Sequence, residues 1–241
     1  MAIAFDTSEY AGLTTSVPTL ASAFTVTAWV KGGAGFSDNR AVFYLGDTSG
    51  GSPYAYAGWQ SGGFITRLAN IDWGANSGSD VGASSWHFWA WVRESSQTKL
   101  YLDGGSTADA TLNNQGGTPS SNNGLRIGAG NGTSSGMSIE AVKIWSATLT
   151  TTEIAAEMNR YDPVRSTNVY AWWKFLTATD LTDQSGNGHT LTATGTLATD
   201  TGPGGISTGG ATSLTTVAGS SSLTGVIAGR VVGTLITPTT P

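Results

Sequence analysis

Five glutamates are the residues of this sequence whose type is best suited to hydrolytic chemistry. Cleavage of a glycosidic bond uses two carboxyl groups that flank the sugar, one of them an acid and the other a nucleophile or base. The glutamates are Glu9, Glu94, Glu140, Glu153 and Glu157. No two of them share a predicted strand at a spacing of two, and Glu153 and Glu157 are neighbours on the solvated face of a predicted helix. The spacing argues against a glycoside hydrolase and predicts no catalytic residue.

The two histidines restrict acid–base and metal chemistry. The sequence holds His87 and His189 alone, which excludes a histidine-rich metal site. A Ser-His-Asp triad stays open, but no nucleophile-elbow motif supports one. His87 lies in a predicted strand, and the sequence favours a hydrogen-bonded structural residue there over a catalytic base.

Aspartates in predicted loops could provide the hard oxygen ligands that calcium requires. Asp47, Asp72, Asp80 and Asp183 lie in or beside such loops. Asp47 and Asp183 are the candidate ligands, so calcium is the cofactor that the sequence leaves open. The alternative is that both side chains cap turns, and this simpler interpretation is favoured.

Tryptophans are the candidates for binding a sugar, because an exposed indole ring can stack on the apolar face of a pyranose. Trp59 and Trp73 lie near loops, and Trp89 and Trp91 share one face of a strand. For Trp89 and Trp91 we favour burial in the core or beneath a partner. For Trp59 and Trp73 the two interpretations are evenly balanced.

The elements that would position these residues centre on a predicted hairpin at 85–104. Successive residues of its first strand point to opposite faces, and both faces carry large, mostly aromatic side chains. This pattern indicates a central strand that is covered on both sides. Its return strand is Lys99–Leu102, and the turn Asp103-Gly104 follows. The two faces of the first strand are Trp86, Phe88, Ala90 and Val92 on one side and His87, Trp89, Trp91 and Arg93 on the other.

Strand patterns fill most of the remaining chain, with one clear helix. Strands are predicted at 2–5, 24–30, 41–45, 54–60, 64–69, 108–112 and 169–176. The helix begins with a capping box, Thr150 to Glu153, and a hydrophobic staple between Leu149 and Ile154. Pro163 is predicted to end it.

Four motifs occur in an order that resembles the laminin G-like, concanavalin A-like lectin/glucanase family. They are F-T-V-T-A-W-V-K at 24–31, W-H-x-x-A-x-V-R with K-L-Y-L-D-G at 86–104, L-R-I-G at 125–128, and the strand and helical turn at 136–154. The resemblance covers about the first three-quarters of the chain. It implies an all-β fold, an antiparallel jelly-roll β-sandwich, to which the sequence adds one short helix and a β-rich C-terminal arm. The resemblance implies no particular function, because the fold hosts many. Some relatives bind calcium in such loops.

The turn D-Q-S-G-N-G at 183–188 resembles one that usually opens domains of this family. Here it lies near the end of the sequence. Two explanations stay open: the chain is rearranged, or a second domain copy is truncated.

The last part of the chain has a different composition. We predict a laminin G-like domain at 1–195 and a Gly/Thr/Ser-rich arm at 196–241, which holds an imperfect nine-residue repeat at 212–220 and 221–229. We expect the arm to pair as strands with its own domain, a sister subunit or a neighbour. Because exposed apolar strand edges would promote aggregation of a lone monomer, we predict a homo-oligomer, such as a trimer, or a capsid-bound state. The predicted assembly residues are Leu214, Leu223, Val226, Ile227, Val231, Val232 and Leu235.

Composition limits the classes of function. Net charge is −5 and lysine and arginine are few, which argues against nucleic acid as a partner. There is no cysteine, no signal-peptide pattern and no apolar run long enough to insert into a membrane. The first hypothesis is a non-enzymatic bacteriophage virion protein, a capsid decoration or fibre-associated module on the particle surface, with a capsid or tail protein as partner. The alternatives are an extracellular lectin that binds surface glycans and, last, a hydrolase.

Overall fold

Short strands make up most of the molecule. The computed structural model describes residues 1–6, 8–20, 23–32, 40–46, 55–60, 63–68, 85–113, 124–129 and 136–207. One helix, α1 (Thr151–Glu157), follows the eleventh strand. The strands of the described chain are β1 (Ala2–Phe5), β2 (Tyr10–Leu13), β3 (Ala23–Gly32), β4 (Arg40–Gly46), β5 (Ala55–Gln60), β6 (Gly63–Leu68), β7 (His87–Glu94), β8 (Gln97–Leu102), β9 (Ala110–Leu112), β10 (Gly124–Ile127), β11 (Met137–Trp145), β12 (Val169–Trp173), β13 (Thr192–Thr194) and β14 (Ala198–Asp200).

These strands form two antiparallel sheets. The first has the order β14-β1-β11-β3-β7-β8-β9, with β12 also paired to β11, and the second has the order β13-β2-β10-β4-β5-β6. Buried apolar side chains from both sheets form one cluster between them. Two sheets packed through a shared core are a sandwich, so the predicted all-β fold with one short helix is confirmed.

The predicted hairpin is the centre of the first sheet. β7 lies between β3 and β8, and its two faces are both covered. The Trp91 ring contacts the Phe24 ring edge-on, with the ring centroids 4.9 Å apart. The centroid of the Trp89 ring lies 5.2 Å from that of Phe64, which belongs to the opposite sheet. The alternate residues of β7, among them Phe88, belong to a second cluster on the outer face of the sheet.

Helix α1 covers that outer face. Thr150 Oγ1 accepts a hydrogen bond from the amide of Glu153, and the Glu153 carboxylate accepts one from the amide of Thr150, so the predicted capping box is confirmed. Ile154 is fully buried in the second cluster. The helix ends at Glu157 and not at Pro163, because the chain passes into turns whose amides, those of Asn159 and Arg160, bond to carbonyls three residues back. The Glu157 carboxylate binds the buried Lys143 ammonium and the Val164 amide beyond the helix.

The segment that contains the D-Q-S-G-N-G turn completes the same sandwich. β12 pairs with β11 in the first sheet, and β13 pairs with β2 in the second. β14 then pairs with β1. This segment is a rearranged part of one fold and not the start of a second copy, because its strands extend both sheets of the first domain.

β1 and β12 lie end to end along one side of β11. β1 pairs with residues 137–139 and β12 with residues 142–145, on either side of a bulge. Ala141 lies at this bulge with a φ of 53°. Beside it the Met1 amine donates to the buried Glu140 carboxylate at 3.4 Å, and a Cβ built on Gly202 would lie 2.6 Å from the Met1 nitrogen. The start of β1 and the residues after β14 therefore meet.

Residues 196–207, which the sequence assigns to the arm, include β14 and reach Ser207, whose backbone exchanges hydrogen bonds with Asn159 and Tyr161. The division into a domain and an arm stays a prediction. The assembly residues named in the arm lie outside the described residues. In the described part of the chain, no helix has the length and apolar character needed to span a membrane.

Candidate functional site

Each of the five glutamates is engaged by other groups of the protein. Glu140 is fully buried and accepts from the Tyr161 hydroxyl, and burial raises the pKa of its carboxyl above the ordinary value. Glu153 caps α1, Glu157 pairs with Lys143, and Glu94 pairs with Lys99 at 2.7 Å. Glu9 accepts from two backbone amides. These contacts give all five a structural role.

The two histidines also make structural contacts. His87 Nδ1 lies 2.8 Å from a carboxylate oxygen of Asp103, whose other oxygen accepts from the Phe88 amide at 2.9 Å. This is the hydrogen-bonded strand residue that the sequence favours. The His189 ring stacks on Tyr170 with the ring centroids 4.1 Å apart.

Asp183, the candidate calcium ligand, is 8% exposed and caps its turn. Its carboxylate accepts from the amides of Trp172, Ser185 and His189 and from the Ser185 hydroxyl. Burial raises the pKa of this carboxyl, but these hydrogen bonds outweigh burial and lower it below the ordinary value. Asp183 is thus a turn residue, and no group of three or more acidic or histidine residues suited to a metal ion occurs within the described ranges. Asp47, Asp72 and Asp80 lie outside those ranges.

Two of the four tryptophan candidates, Trp89 and Trp91, do not form a sugar platform. Trp89 and Trp91 are 1% and 0% exposed, so their assignment as glycan-binding residues is wrong and the favoured core interpretation is right. Their rings fill the space between the sheets and have no face left for a ligand. Trp59 lies in β5 opposite Phe64, where only its backbone is described, and Trp73 lies outside the described residues.

A groove of about 250 Å³ on the outer face of the second sheet offers a different candidate site. It runs over β13, β2 and β10, and its walls combine an aromatic ring, one cation and a set of hydroxyl groups. The strand alternation creates it, because Ala11, Leu13, Leu125 and Ile127 point into the core and the residues between them point outward. The groove is lined by Tyr10, Gly12, Leu13, Thr14, Thr15, Leu125, Arg126, Thr190, Thr192 and Thr194.

Tyr10 lies across Gly12, which has no side chain to hold the ring away from the sheet. A Cβ built on Gly12 would lie 3.1 Å from a carbon of the Tyr10 ring and 2.8 Å from the Leu125 carbonyl oxygen. The contact with the Leu125 oxygen is too short for a methyl group, and the contact with the Tyr10 ring would require the ring to shift by a few tenths of an ångström. Gly12 therefore allows the half-buried Tyr10 ring to form part of the groove floor.

Arg126 supplies the positive charge of the groove. It pairs with Gly12 in the β2–β10 register, which makes it a diagonal neighbour of Tyr10, and its guanidinium carbon lies 4.6 Å from the Tyr10 ring centroid. Such a cation–π contact holds the guanidinium against the ring. The carboxylate of the adjacent Glu9 accepts hydrogen bonds from the backbone amides of Asp6, at 2.7 Å, and Thr196, at 3.2 Å.

The open groove is short. Arg126 is followed in the same cross-strand row by Tyr44 of β4, and Tyr44 is only 2% exposed. The open part covers three strands, roughly 10 Å at the usual spacing between strands. This length suits a small ligand unit.

Sequence reasoning did not identify Tyr10, Arg126 or the threonines. A signal was present in T-x-T-x-T at 190–194 and in the alternation of Y-A-G-L and L-R-I. These segments meet only through pairing between distant strands, which no local pattern reveals.

Two larger depressions lack this combination of groups. One, of about 340 Å³, lies beside Asp6, Glu9 and Met137, and the other, of about 490 Å³, lies beside Lys174 and Asp180. Neither is lined by a tyrosine or tryptophan among the described residues, so we take the groove over β13, β2 and β10 as the candidate site.

A comparison with known protein families agrees with the β-sandwich fold described above. The sequence model described as the concanavalin A-like lectin/glucanases superfamily matches residues 5–155. No curated protein is significantly similar to the chain.

Similar solved structures share the fold at low identity. A candidate carbohydrate-binding protein from Bacteroides ovatus ATCC 8483 is 16% identical with a TM-score of 0.61, over 83% of this chain and 60% of that chain. The CBM40 module of the Ruminococcus gnavus IT-sialidase, bound to α2,3-sialyllactose, is 15% identical with a TM-score of 0.50, over 64% and 95%. The heptameric SAP-like pentraxin of Limulus polyphemus is 16% identical with a TM-score of 0.50, over 64% and 79%. At these identities the likeness concerns the fold alone.

Proposed function

Because the chain belongs to the concanavalin A-like lectin/glucanases superfamily, we propose that it is a non-catalytic carbohydrate-binding module. Its ligand would bind in the groove over β13, β2 and β10. The single observation that carries this proposal is the Tyr10 ring packed against Gly12, with a guanidinium over the ring and exposed threonine hydroxyls in the same groove.

The chemistry of these groups suits a sugar. A pyranose has an apolar face of C–H groups and a rim of hydroxyls. The aromatic ring offers the apolar contact, and the hydroxyls of Thr190, Thr192 and Thr194 can both donate and accept hydrogen bonds. A few polar groups placed around an apolar floor are typical of small-ligand sites.

We also propose that the module is not catalytic, because the described lining of the groove lacks the acidic residues that hydrolysis of a glycosidic bond requires. Glycoside hydrolysis needs two carboxyl groups that flank the scissile bond. Among the described residues that line the groove there is no aspartate or glutamate. This described lining can therefore bind a sugar but offers no pair of carboxyl groups to cleave one.

A glycan array with the purified full chain tests the proposal. We expect the wild type to bind at least one glycan and Tyr10→Ala to weaken that binding about tenfold or more, because the stacking surface is lost. Trp86→Ala removes a half-buried aromatic residue outside the groove and is the matched control. Repeating the array with a calcium chelator tests the predicted calcium dependence separately.

An array without any bound glycan, or equal binding by wild type and Tyr10→Ala, would contradict this proposal. A Tyr10→Ala protein that also loses its melting transition would not be informative, so Tyr10→Phe is included. Tyr10→Phe keeps the ring and should keep most of the binding.

A structural role in a bacteriophage particle is the second candidate. It rests on the nine-residue repeat and the apolar residues of the arm, which suit strand pairing with a neighbour. It is compatible with sugar binding, since a module on a particle surface can do both. Capsid or tail partners, a homo-oligomer and a place on the virion surface all belong to this second candidate.

A further inference from the structure

We infer that Tyr170 is a positioning residue for the groove, because it joins the two walls at one end of it. The first wall is residues 14–16, after β2, and the second wall is residues 189–191, before β13; Thr14, Thr15 and Thr190 of these walls line the groove. Tyr170 lies in β12 of the first sheet and is not among the described residues of the lining, so it would act through the walls. This inference rests on the proposed function and names what keeps the site ready to bind.

The first wall lies beyond the end of the strand ladder. Leu13, paired with Leu125, is the last residue of β2 in register with β10, and residues 14–16 are exposed. Ser16 has a φ of 53°, in the left-handed region that residues other than glycine rarely adopt. The Ser16 carbonyl oxygen accepts a hydrogen bond from the Tyr170 hydroxyl at 2.6 Å. This bond therefore holds the first wall where strand pairing no longer does.

The second wall is held by the D-Q-S-G-N-G turn. The His189 amide donates to the Asp183 carboxylate at 2.9 Å, and the Asp183 amide donates to the Thr190 hydroxyl oxygen at 3.3 Å. The turn is fastened in its turn to Tyr170. The His189 ring stacks on the Tyr170 ring, and Asn187 Nδ2 donates to the Tyr170 carbonyl oxygen at 2.8 Å. One residue thus holds both walls.

The Tyr170 hydroxyl is a donor under ordinary conditions. Burial and, to a smaller extent, the nearby Asp183 carboxylate raise the pKa of this hydroxyl to about 12, so it keeps its proton at neutral pH. His189 Nδ1 lies 3.4 Å from the hydroxyl oxygen, which is long for a hydrogen bond. The Ser16 carbonyl, at 2.6 Å, is therefore the main partner of the hydroxyl.

A fixed distance between the walls matters because both carry hydroxyl groups. A hydrogen bond weakens steeply when its geometry departs from the ideal, and walls that move independently must be ordered when a sugar binds, at a cost in affinity. Tyr170 removes this freedom before the sugar arrives. The other end of the groove, where Thr194 pairs with Tyr10, depends instead on the register of β13 with β2.

The first experiment compares the full-length wild type with Tyr170→Phe on a panel of immobilised oligosaccharides of glucose, galactose, mannose, xylose and N-acetylglucosamine. The variant loses the hydroxyl but keeps the ring that stacks on His189, so it should fold. We expect the binding of each glycan that the wild type recognises to weaken about threefold to tenfold. Tyr101→Phe removes the same atom from the outer face of the first sheet and should bind like the wild type.

A double-mutant cycle separates positioning from a general loss of stability. Thr14→Ala/Thr15→Ala deletes the hydroxyls of the first wall and should weaken binding about tenfold by itself. In that background Tyr170→Phe should cause little further loss, because the groups that it positions are gone. In the background of Thr194→Ala, at the other end of the groove, it should cause its full loss. A purely structural role would give the same further loss in both backgrounds.

The outcomes separate this inference from the proposed function. Binding of no member of the panel by the wild type overturns both. Wild-type binding that Tyr170→Phe does not weaken, or weakens equally in the two backgrounds, overturns the positioning role and leaves the proposed function standing. Wild-type affinity of Thr14→Ala/Thr15→Ala also overturns the positioning role, since the first wall would then not contact the sugar. Melting temperatures of all variants confirm that folded proteins are compared.

Discussion

At the scale of the residue, the groove depends on the absence of a side chain at Gly12. Its built Cβ would lie 2.8 Å from the Leu125 carbonyl oxygen and 3.1 Å from the Tyr10 ring. The Leu125 oxygen is backbone and cannot move without disturbing the β2–β10 pair, whereas the Tyr10 ring can rotate away. Any side chain at position 12 therefore changes both the sheet and the groove floor.

We predict that Gly12→Ala lowers the free energy of unfolding by about 1–3 kcal/mol, as expected of overpacking, and that it weakens glycan binding. Denaturant titration and the glycan array measure the two effects. Gly204→Ala is the control, because nothing lies within 4 Å of a Cβ built there. Equal stability of both variants would show that Gly12 is not constrained.

Residue patterns in the sequence predict the buried interior better than the surface site. Trp89 and Trp91 alternate with Phe88 and Ala90, and this local pattern predicts that both faces of the strand are covered, but not which face lies between the sheets. Arg126 and Tyr10 come together only because β2 pairs with β10 in one register. A sequence contains no local signal for that register, so the candidate site could not be predicted.

At the scale of the element, β14 pairs with β1 and is also held to the first sheet through the side chain of Asp200. Its carboxylate receives Lys31 Nζ at 2.6 Å and the Ser138 hydroxyl at 2.6 Å. Burial raises the pKa of this carboxyl, but the hydrogen bonds from Lys31, Ser138 and the Thr201 amide outweigh burial and lower it to about 2. In an unfolded chain the value is about 3.9.

This difference in pKa predicts a pH-dependent contribution to stability. The contribution is fully present above about pH 4, decreases as the pH falls, and disappears below about pH 2, where both states are protonated. We expect Asp200→Asn to lower the free energy of unfolding by roughly 1–2 kcal/mol at pH 6, allowing for partial solvent screening, and by almost nothing near pH 2.

Denaturant unfolding of wild type and variant across this pH range gives the measurement. Asp109→Asn is the control, since Asp109 is exposed and accepts a single amide hydrogen bond, from Leu102. A stability difference between wild type and Asp200→Asn that does not change with pH would contradict the role given to the carboxylate.

The elements themselves show where sequence patterns succeed. The capping box at Thr150 and Glu153 is local, and the structure confirms it. The placement of β12, β13 and β14 is not local, because each pairs with a strand from the first or middle part of the chain. The sequence could therefore show that the D-Q-S-G-N-G turn is out of its usual order, but not which sheet its neighbours join.

At the scale of the whole molecule, the boundary of the arm can be tested by truncation. A chain that ends at Ser207 keeps all the described strands, whereas one that ends at Gly195 loses β14 and its contacts with Lys31 and Ser138. We predict that the full chain forms an oligomer, that the chain ending at Ser207 is a monomer with an unchanged melting temperature, and that the chain ending at Gly195 melts lower. Light scattering and calorimetry measure these properties. If the full chain and the chain ending at Ser207 are both monomers, the arm does not assemble copies of this chain.

The meeting of Met1 and Gly202 at Glu140 has a consequence for how the architecture is encoded. A strand needs its neighbours in space, and it does not need them in any fixed order along the chain. With the first and last strands of the sandwich side by side, a short peptide could join them, and the loop before β12 could become the new pair of termini. β12 and its turn would then open the chain, and every strand would keep its neighbours in its sheet.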